Sequence, residues 1–80
     1  MTVTVYSSTH CPWCVKTKEH LDSINVPYES INISEDREAA RKVFELTRQT
    51  GVPVTRIGER CIVGYDPDAI DSALRDAQLI

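Results

Sequence analysis

Residues 2–33 of this 80-residue chain have the pattern of a strand, a helix and a second strand, which restricts the folds open to it. Residues 2–6 alternate threonine with valine and end on tyrosine, which predicts a strand. Good helix formers fill residues 12–24, between a proline suited to a first helical turn and the Asn25-Val26-Pro27 stop. Isoleucines alternating with polar residues predict a second strand over residues 28–33. Two strands joined by a helical crossover lie parallel in one sheet, so we expect an α/β fold.

A second helix is predicted over residues 35–49. Ser34 is placed to cap its first turn, and acidic residues next to it suit a helix start. Gly51 fits a helix stop with left-handed backbone. An apolar stripe at three- and four-residue spacing predicts that this helix packs on a sheet. The stripe contains Ala39, Ala40, Val43, Phe44, Leu46 and Thr47.

The remaining residues predict a hairpin and a third helix. Two β-rich runs, at residues 52–57 and 60–63, are separated by Gly58-Glu59, a two-residue connection typical of a tight antiparallel hairpin. A helix opens at Asp66-Pro67-Asp68 and has apolar residues at the spacing of one buried face. These residues are Ile70, Ala73, Leu74 and Ala77. The predicted order is β-α-β-α-β-β-α, with a four-stranded mixed sheet and helices on both faces, as in a thioredoxin-like domain.

The size and charge of the chain limit what it can do. Eighty residues, 41% of them hydrophobic, suffice for a single domain, residues 1–80, which buries roughly 60% of the surface of its unfolded chain. Nine basic and twelve acidic residues are interspersed, without a basic stripe that would neutralise phosphates. No segment has the pattern of a signal peptide or a membrane span. We therefore expect a cytoplasmic monomer that binds neither nucleic acid nor membranes.

The motif Cys11-Pro12-Trp13-Cys14 places two thiols one helical turn apart. Side chains at this spacing lie about 5–6 Å apart at Cβ, which makes a reversible disulfide geometrically easy. A bridge closing four residues is worth about 2 kcal/mol, against about 3 kcal/mol for fifteen residues, so it contributes little as a structural crosslink. The motif therefore predicts redox chemistry, that is, a thiol–disulfide oxidoreductase.

The two sulfurs of this motif are not expected to be equivalent. Cys11 lies at the start of the first helix, where unsatisfied N–H groups and the helix dipole favour thiolate over thiol. We predict that Cys11 is the nucleophile and that Cys14 attacks second, resolving the mixed disulfide. Lys16, Lys18 and a protonated His10 add only weak positive potential through solvent, and we assign them no catalytic role.

The alternative interpretation of the motif is half of a zinc site. Two further ligands would be needed, and the only soft candidates are Cys61, His10 and His20, without a second Cys-x-x-Cys. We therefore predict no metal site. Cys61 lies in an apolar strand and is predicted to be a small buried hydrophobic residue, whereas both histidines are expected in solvent.

Trp13 and Tyr65 are aromatic residues that we do not expect in the core. The first helical turn must leave Cys11 accessible, so Trp13 between the cysteines is predicted to be an exposed contact for partner proteins. Tyr65 serves the same purpose or covers the edge of the sheet. Both alternatives are open from the sequence.

The Cys-Pro-Trp-Cys motif, with Tyr6 at the end of the first strand, resembles the active site of glutaredoxins. Residues 50–54, Thr-Gly-Val-Pro-Val, are similar to the family's segment with a cis-proline before the third strand. Gly64-Tyr65-Asp66 is similar to its glycine–aspartate loop. The resemblance covers nearly the whole chain, and the three segments together are more specific than any one of them.

The resemblance implies a set of site residues around the disulfide. Pro53 should follow a cis peptide, and the backbone of Val52 should lie beside the disulfide, offering hydrogen bonds to an incoming glutathione or protein cysteine. Gly64, Tyr65 and Asp66 are implied as further substrate-binding residues. Pro12 and Trp13 complete the active-site motif.

Departures from the family pattern concern the electron donor. Glutaredoxins that handle glutathione usually have a lysine three residues before the first cysteine and a Thr-Val-Pro triplet, where this chain has Ser8 and Gly51-Val52-Pro53. The loop Gly64-Tyr65-Asp66-Pro67-Asp68 is closer to that of NrdH-type redoxins, which are reduced by thioredoxin reductase and supply ribonucleotide reductase. The resemblance therefore leaves two donors open, a thioredoxin reductase-like enzyme and glutathione.

The expected function is that of a dithiol redox carrier without a tightly bound cofactor. Its acceptors would be proteins or small molecules with disulfides, with ribonucleotide reductase as one candidate. A rival from another class is a scaffold or carrier that holds an iron–sulfur cluster between two subunits, as some glutaredoxins do. Pro12 disfavours the rival, because the cluster-binding relatives generally lack proline at that position.

Overall fold

The computed structural model describes residues 2–49 and 51–80, and within them the chain forms four strands and three helices. No helix in these two segments is long and apolar enough to cross a membrane. The elements follow the predicted order β-α-β-α-β-β-α. They are β1 (Val3–Ser7), α1 (Pro12–Ser23), β2 (Glu29–Asn32), α2 (Arg37–Thr47), β3 (Val54–Ile57), β4 (Arg60–Val63) and α3 (Pro67–Asp76).

The four strands form one mixed sheet in the order β2-β1-β3-β4. Val5 of β1 pairs with Ser30 of the parallel strand β2 and with Thr55 of the antiparallel strand β3. Thr55 in turn pairs with Ile62 of the antiparallel strand β4. The parallel β1–β2 pair follows from the crossover through α1, as predicted. Gly58, at φ 61°, begins the connection between β3 and β4, where positive φ suits glycine in a tight hairpin.

Helices cover both faces of the sheet because consecutive strand residues point to opposite sides. Val3 and Val5 of β1 pack on one face with Leu21 of α1 and Leu74 of α3. Tyr6 of β1 lies on the other face, which α2 covers. The second cluster contains Tyr6, Ala39, Val43 and Val54. Helices α1 and α3 therefore share one face, and α2 occupies the other.

The start of α2 differs from the prediction. Asp36, not Ser34, is the N-cap, and its carboxylate accepts the Ala39 N–H at 3.0 Å. The Ser34 N–H donates to the Asn32 side chain at 2.8 Å, and its hydroxyl accepts the Thr9 N–H at 3.3 Å. Ser34 is thus held in a turn that follows β2, so the helix begins later than the sequence pattern indicates.

The end and the exposed face of α2 also differ from the prediction. Arg48 at φ 59° takes the left-handed conformation that was predicted for Gly51, and its N–H donates to the Phe44 carbonyl at 2.7 Å. Phe44 and Leu46 are exposed, so the buried stripe is narrower than predicted. Thr50, part of the segment that resembles the cis-proline region, lies outside the described residues. The third strand begins at residue 54 rather than 52, after a proline that has no N–H to donate.

Candidate active site

Cys11 is the N-cap of α1, so its sulfur lies where the first helical N–H groups have no partner in the helix. Its backbone is extended, at φ −117° and ψ 99°, and its Sγ accepts the Cys14 N–H at 3.2 Å. Pro12 occupies the first helical position, where the missing N–H costs no hydrogen bond. The positive end of the helix and one directed N–H therefore both act on the Cys11 sulfur.

Cys11 and Cys14 form a disulfide, with their Cα atoms 5.2 Å apart. Cys11 is partly exposed, whereas Cys14, within the first turn of α1, is only 2% exposed. An incoming disulfide therefore meets Cys11 before it meets Cys14. Exposure to solvent and the electrostatic effect of the helix N-terminus therefore both favour reaction at Cys11 rather than at Cys14.

A cavity of about 300 Å³ lies beside this turn and brings together residues from three parts of the chain. The peptide bond between Val52 and Pro53 is cis, as the resemblance implies. The Gly64 N–H donates to the Pro53 carbonyl at 2.8 Å, which attaches the loop after β4 to the loop before β3. Gly64 is at φ 83°, a conformation that residues with a Cβ rarely adopt. The cavity is lined by Trp13, Val52, Pro53, Gly64 and Tyr65.

Trp13 and Tyr65 are the aromatic residues of this cavity and stack on each other. Their ring centroids are 5.9 Å apart, and the planes are inclined by 25°. Trp13 is 56% exposed and Tyr65 is 38% exposed, while the Lys16 ammonium lies 5.9 Å from the Trp13 ring centroid. The pair presents an apolar surface next to the disulfide. Asp66 does not line this cavity, because its carboxylate caps α3 and accepts the Ala69 N–H at 3.1 Å.

A second cavity, of about 440 Å³, borders the disulfide itself. It is lined by Ser8, His10, Cys11, Pro12, Cys14, Val15 and Lys18. Val15 and Lys18 were not predicted to belong to this site. The available signal was their spacing, since residues four and seven positions after Cys11 lie on the same face of a helix.

The remaining cysteine and histidines lie in different surroundings. Cys61 is a free thiol that packs against the cluster under α2, as a small hydrophobic residue would, but it is only partly buried and so less buried than predicted. His10 is exposed, as expected. His20 is not free in solvent, because its Nε2 lies 2.7 Å from Asp71 Oδ1 and links α1 to α3. Across residues 2–49 and 51–80, no three histidine, cysteine, aspartate or glutamate side chains gather as a metal site would require.

Comparison with known proteins identifies relatives of the whole chain. Residues 3–62 match the family model described as Glutaredoxin. An uncharacterized glutaredoxin-like 8.6 kDa protein in the rubredoxin operon of Clostridium pasteurianum is 38% identical over 72 residues, which are 90% of this chain and 96% of that protein.

Solved structures with the same fold include redoxins of two kinds. The glutaredoxin-like NrdH-redoxin of Escherichia coli superposes with a TM-score of 0.83 at 28% identity, covering 90% of this chain and 93% of that one. Its structure is described as the basis of a thioredoxin-like activity profile. A buckwheat glutaredoxin in complex with glutathione has a TM-score of 0.71 at 26% identity, covering 96% of this chain and 71% of its own.

Proposed function

The chain belongs to the glutaredoxin family and has a thioredoxin-like fold, and on that premise we propose that it is a dithiol redox carrier that reduces protein disulfides. The observation that carries the proposal is the position of the Cys11 sulfur. It is partly exposed at the positive end of α1, accepts a backbone N–H, and is one turn from a second, buried cysteine. This arrangement favours a thiolate that attacks and a neighbour that releases the product.

The reaction is an exchange in two steps. The Cys11 thiolate attacks one sulfur of a substrate disulfide, the substrate S–S bond breaks, and the leaving sulfur takes a proton from solvent. Cys14 then loses its proton and attacks the Cys11 sulfur of the mixed disulfide. The second substrate thiol leaves, and the Cys11–Cys14 disulfide remains. Two electrons have passed to the substrate, and a donor dithiol must return them.

The apolar cavity next to the disulfide is proposed as the place where substrate backbone and side chains bind. Val52 precedes the cis-proline and lines the cavity, and the Trp13–Tyr65 pair offers a flat apolar surface. Such a surface suits a protein segment in an extended conformation. Asp66 takes part indirectly, by capping the helix that follows Tyr65.

The proposed electron donor is a thioredoxin reductase-like enzyme rather than glutathione. Ser8 stands where glutathione-dependent relatives usually have a lysine, and the likeness to an NrdH-redoxin supports the same choice. The test compares reduction of the oxidised chain by NADPH with thioredoxin reductase against reduction by glutathione. Rapid reduction by glutathione alone would contradict this donor. The acceptors, with ribonucleotide reductase as one candidate, are proposed to meet the chain in a reducing cytoplasm.

The roles of the two cysteines are tested by serine variants. Cys14→Ser should form a stable mixed disulfide with substrate, because nothing displaces Cys11 from it, and mass spectrometry of trapped complexes identifies the partner. Cys11→Ser should lose disulfide reduction altogether, and Cys61→Ser should retain it. Reduction that survives in Cys11→Ser would overturn the proposed function.

A further inference from the structure

The second cavity, lined by both active-site cysteines, has a positive side that the exchange mechanism leaves unused. Cys11, Cys14, Val15 and Lys18 are spaced as i, i+3, i+4 and i+7, so they lie along one face at the start of α1. Lys18 therefore lines the same cavity as the two cysteines. His10, which directly precedes Cys11, adds a second group that can carry positive charge.

Lys18 is half-buried and has no carboxylate partner among residues 2–49 and 51–80, where the ion pairs join His20 to Asp71 and Arg60 to Asp76. Asp22, one turn later on α1, forms no ion pair with Lys18, and it acts with burial to raise the pKa of Tyr28. An ammonium on a half-buried side chain that lines a cavity and has no carboxylate partner in the described segments is suited to bind an anion from another molecule.

We propose that this cavity receives an acidic side chain next to the disulfide of the substrate, and that Lys18 binds its carboxylate. The preferred substrates are then protein disulfides in which aspartate or glutamate flanks the attacked cysteine. The proposal rests on the proposed function and specifies its substrate class. Its physical basis is charge complementarity, which orients the substrate disulfide over Cys11.

A different role for Lys18 makes a different prediction. If the ammonium only favoured the Cys11 thiolate, its removal would slow the reduction of every substrate by the same factor. A carboxylate-binding role instead makes the effect of Lys18 depend on the charge of the substrate. The ratio of rates for an acidic and a neutral substrate therefore separates the two roles.

Lys16 provides the matched control, because it is a lysine on the same helix near the same motif. Its ammonium lies over the Trp13 ring, and it does not line the second cavity. A change in overall charge affects both lysine variants equally. A change specific to the cavity affects Lys18 alone.

The experiment uses the pre-reduced full chain in single turnovers, so the identity of the donor is irrelevant. The substrates are two short homodimeric peptide disulfides that differ only in glutamate or glutamine next to the cysteine. We expect the glutamate peptide to react about fivefold faster with the unmodified chain at low salt. Lys18→Gln should bring the ratio close to one, Lys18→Glu should invert it, and Lys16→Gln should preserve it.

Three outcomes would overturn the proposal. Equal rates for the two peptides with the unmodified chain would show that the cavity does not recognise the acidic residue. Loss of the preference in Lys16→Gln as well as in Lys18→Gln would assign it to overall charge. A preference that Lys18→Gln leaves unchanged would show that Lys18 does not bind the carboxylate. Failure to reduce either peptide would instead contradict the proposed function itself.

Discussion

Cys11 and Cys14 have chemically identical side chains, but they differ in exposure and in hydrogen bonding because of where they lie on one helix. Cys11 precedes the first turn, is partly exposed and accepts a backbone N–H, while Cys14 is within that turn and almost fully buried. Burial in apolar surroundings disfavours a thiolate, and the helix N-terminus favours one. At the scale of the residue, position therefore supports the proposal that Cys11 is the attacking sulfur.

The difference is measurable by alkylation of the reduced chain. We expect iodoacetamide to modify Cys11 at a lower pH and at least tenfold faster than Cys14, because only the exposed thiolate reacts readily. Peptide mapping at a series of pH values distinguishes the two sites, with Cys61 as an internal reference. Faster modification of Cys14, or equal pH profiles for both residues, would contradict the assignment.

At the scale of the elements, the three helices begin in the same way, with an N-cap side chain that accepts a hydrogen bond from the first turn. Helices α2 and α3 each start from an aspartate whose carboxylate accepts the N–H three residues later, and α1 starts from a cysteine that does the same. An N-cap removes an unsatisfied donor from the first turn. In α1 this position belongs to Cys11, the proposed nucleophile, so the same local rule that stabilises two helices places a sulfur at the start of the third.

The corrected start of α2 gives a prediction for stability. Asp36→Ala should lower the free energy of unfolding by about 1 kcal/mol, because the Ala39 N–H loses its acceptor. Ser34→Ala, at the residue that the sequence pattern favoured, should have a smaller effect since its hydrogen bond belongs to an exposed turn. Denaturant titration of both variants tests this order. A larger loss in Ser34→Ala would mean that the helix begins earlier.

The segment between α1 and β2 contains Tyr28, whose titration predicts a change in stability in alkaline solution. Burial, and then the charge and hydrogen bond of Asp22, raise the pKa of Tyr28 above 10.0. The folded state holds the proton more tightly than the unfolded state, so this contribution is complete below pH 10 and is lost as pH rises through the higher folded pKa. Asp22→Asn should lower the pKa of Tyr28, as NMR of its ring resonances would show. An unchanged titration in that variant would exclude Asp22 as a cause.

At the scale of the whole molecule, stability depends on the face that α1 and α3 share. Leu21, Ile70 and Leu74 are completely buried there against β1. The same packing fixes α1, whose first turn carries the disulfide, relative to the loops before β3 and α3. The packing of the core therefore positions the site, whose two cavities are lined in part by the buried residues Cys14 and Pro53.

A pair of variants tests this distribution of stability. Leu74→Ala should cost about 2–5 kcal/mol of unfolding free energy, because it leaves a cavity between α3 and the sheet. Phe44→Ala, which removes a larger side chain that is 45% exposed on α2, should cost less than about 1 kcal/mol. Urea unfolding of the reduced proteins measures both. A greater loss in Phe44→Ala would indicate that α2 packs more tightly than the structure shows.

The sequence alone determined the order of the elements, the parallel β1–β2 pair and the position of the cysteine motif at the start of α1. These features depend on local periodicity, turn chemistry and the spacing of one helical turn, all of which are present in neighbouring residues. It predicted Ser34 as the cap of α2 where the structure has Asp36, because the choice depends on the turn after β2 that contacts Thr9.

Only the tertiary structure placed Tyr65 against Trp13 and Asp71 against His20. Each of these contacts joins segments that are far apart in the chain. Such contacts are set by how the helices pack on the sheet, and no local pattern records that packing. The redox chemistry of the site was therefore predictable from the four residues of the Cys-Pro-Trp-Cys motif. The residues that surround the motif could be placed only from the tertiary structure.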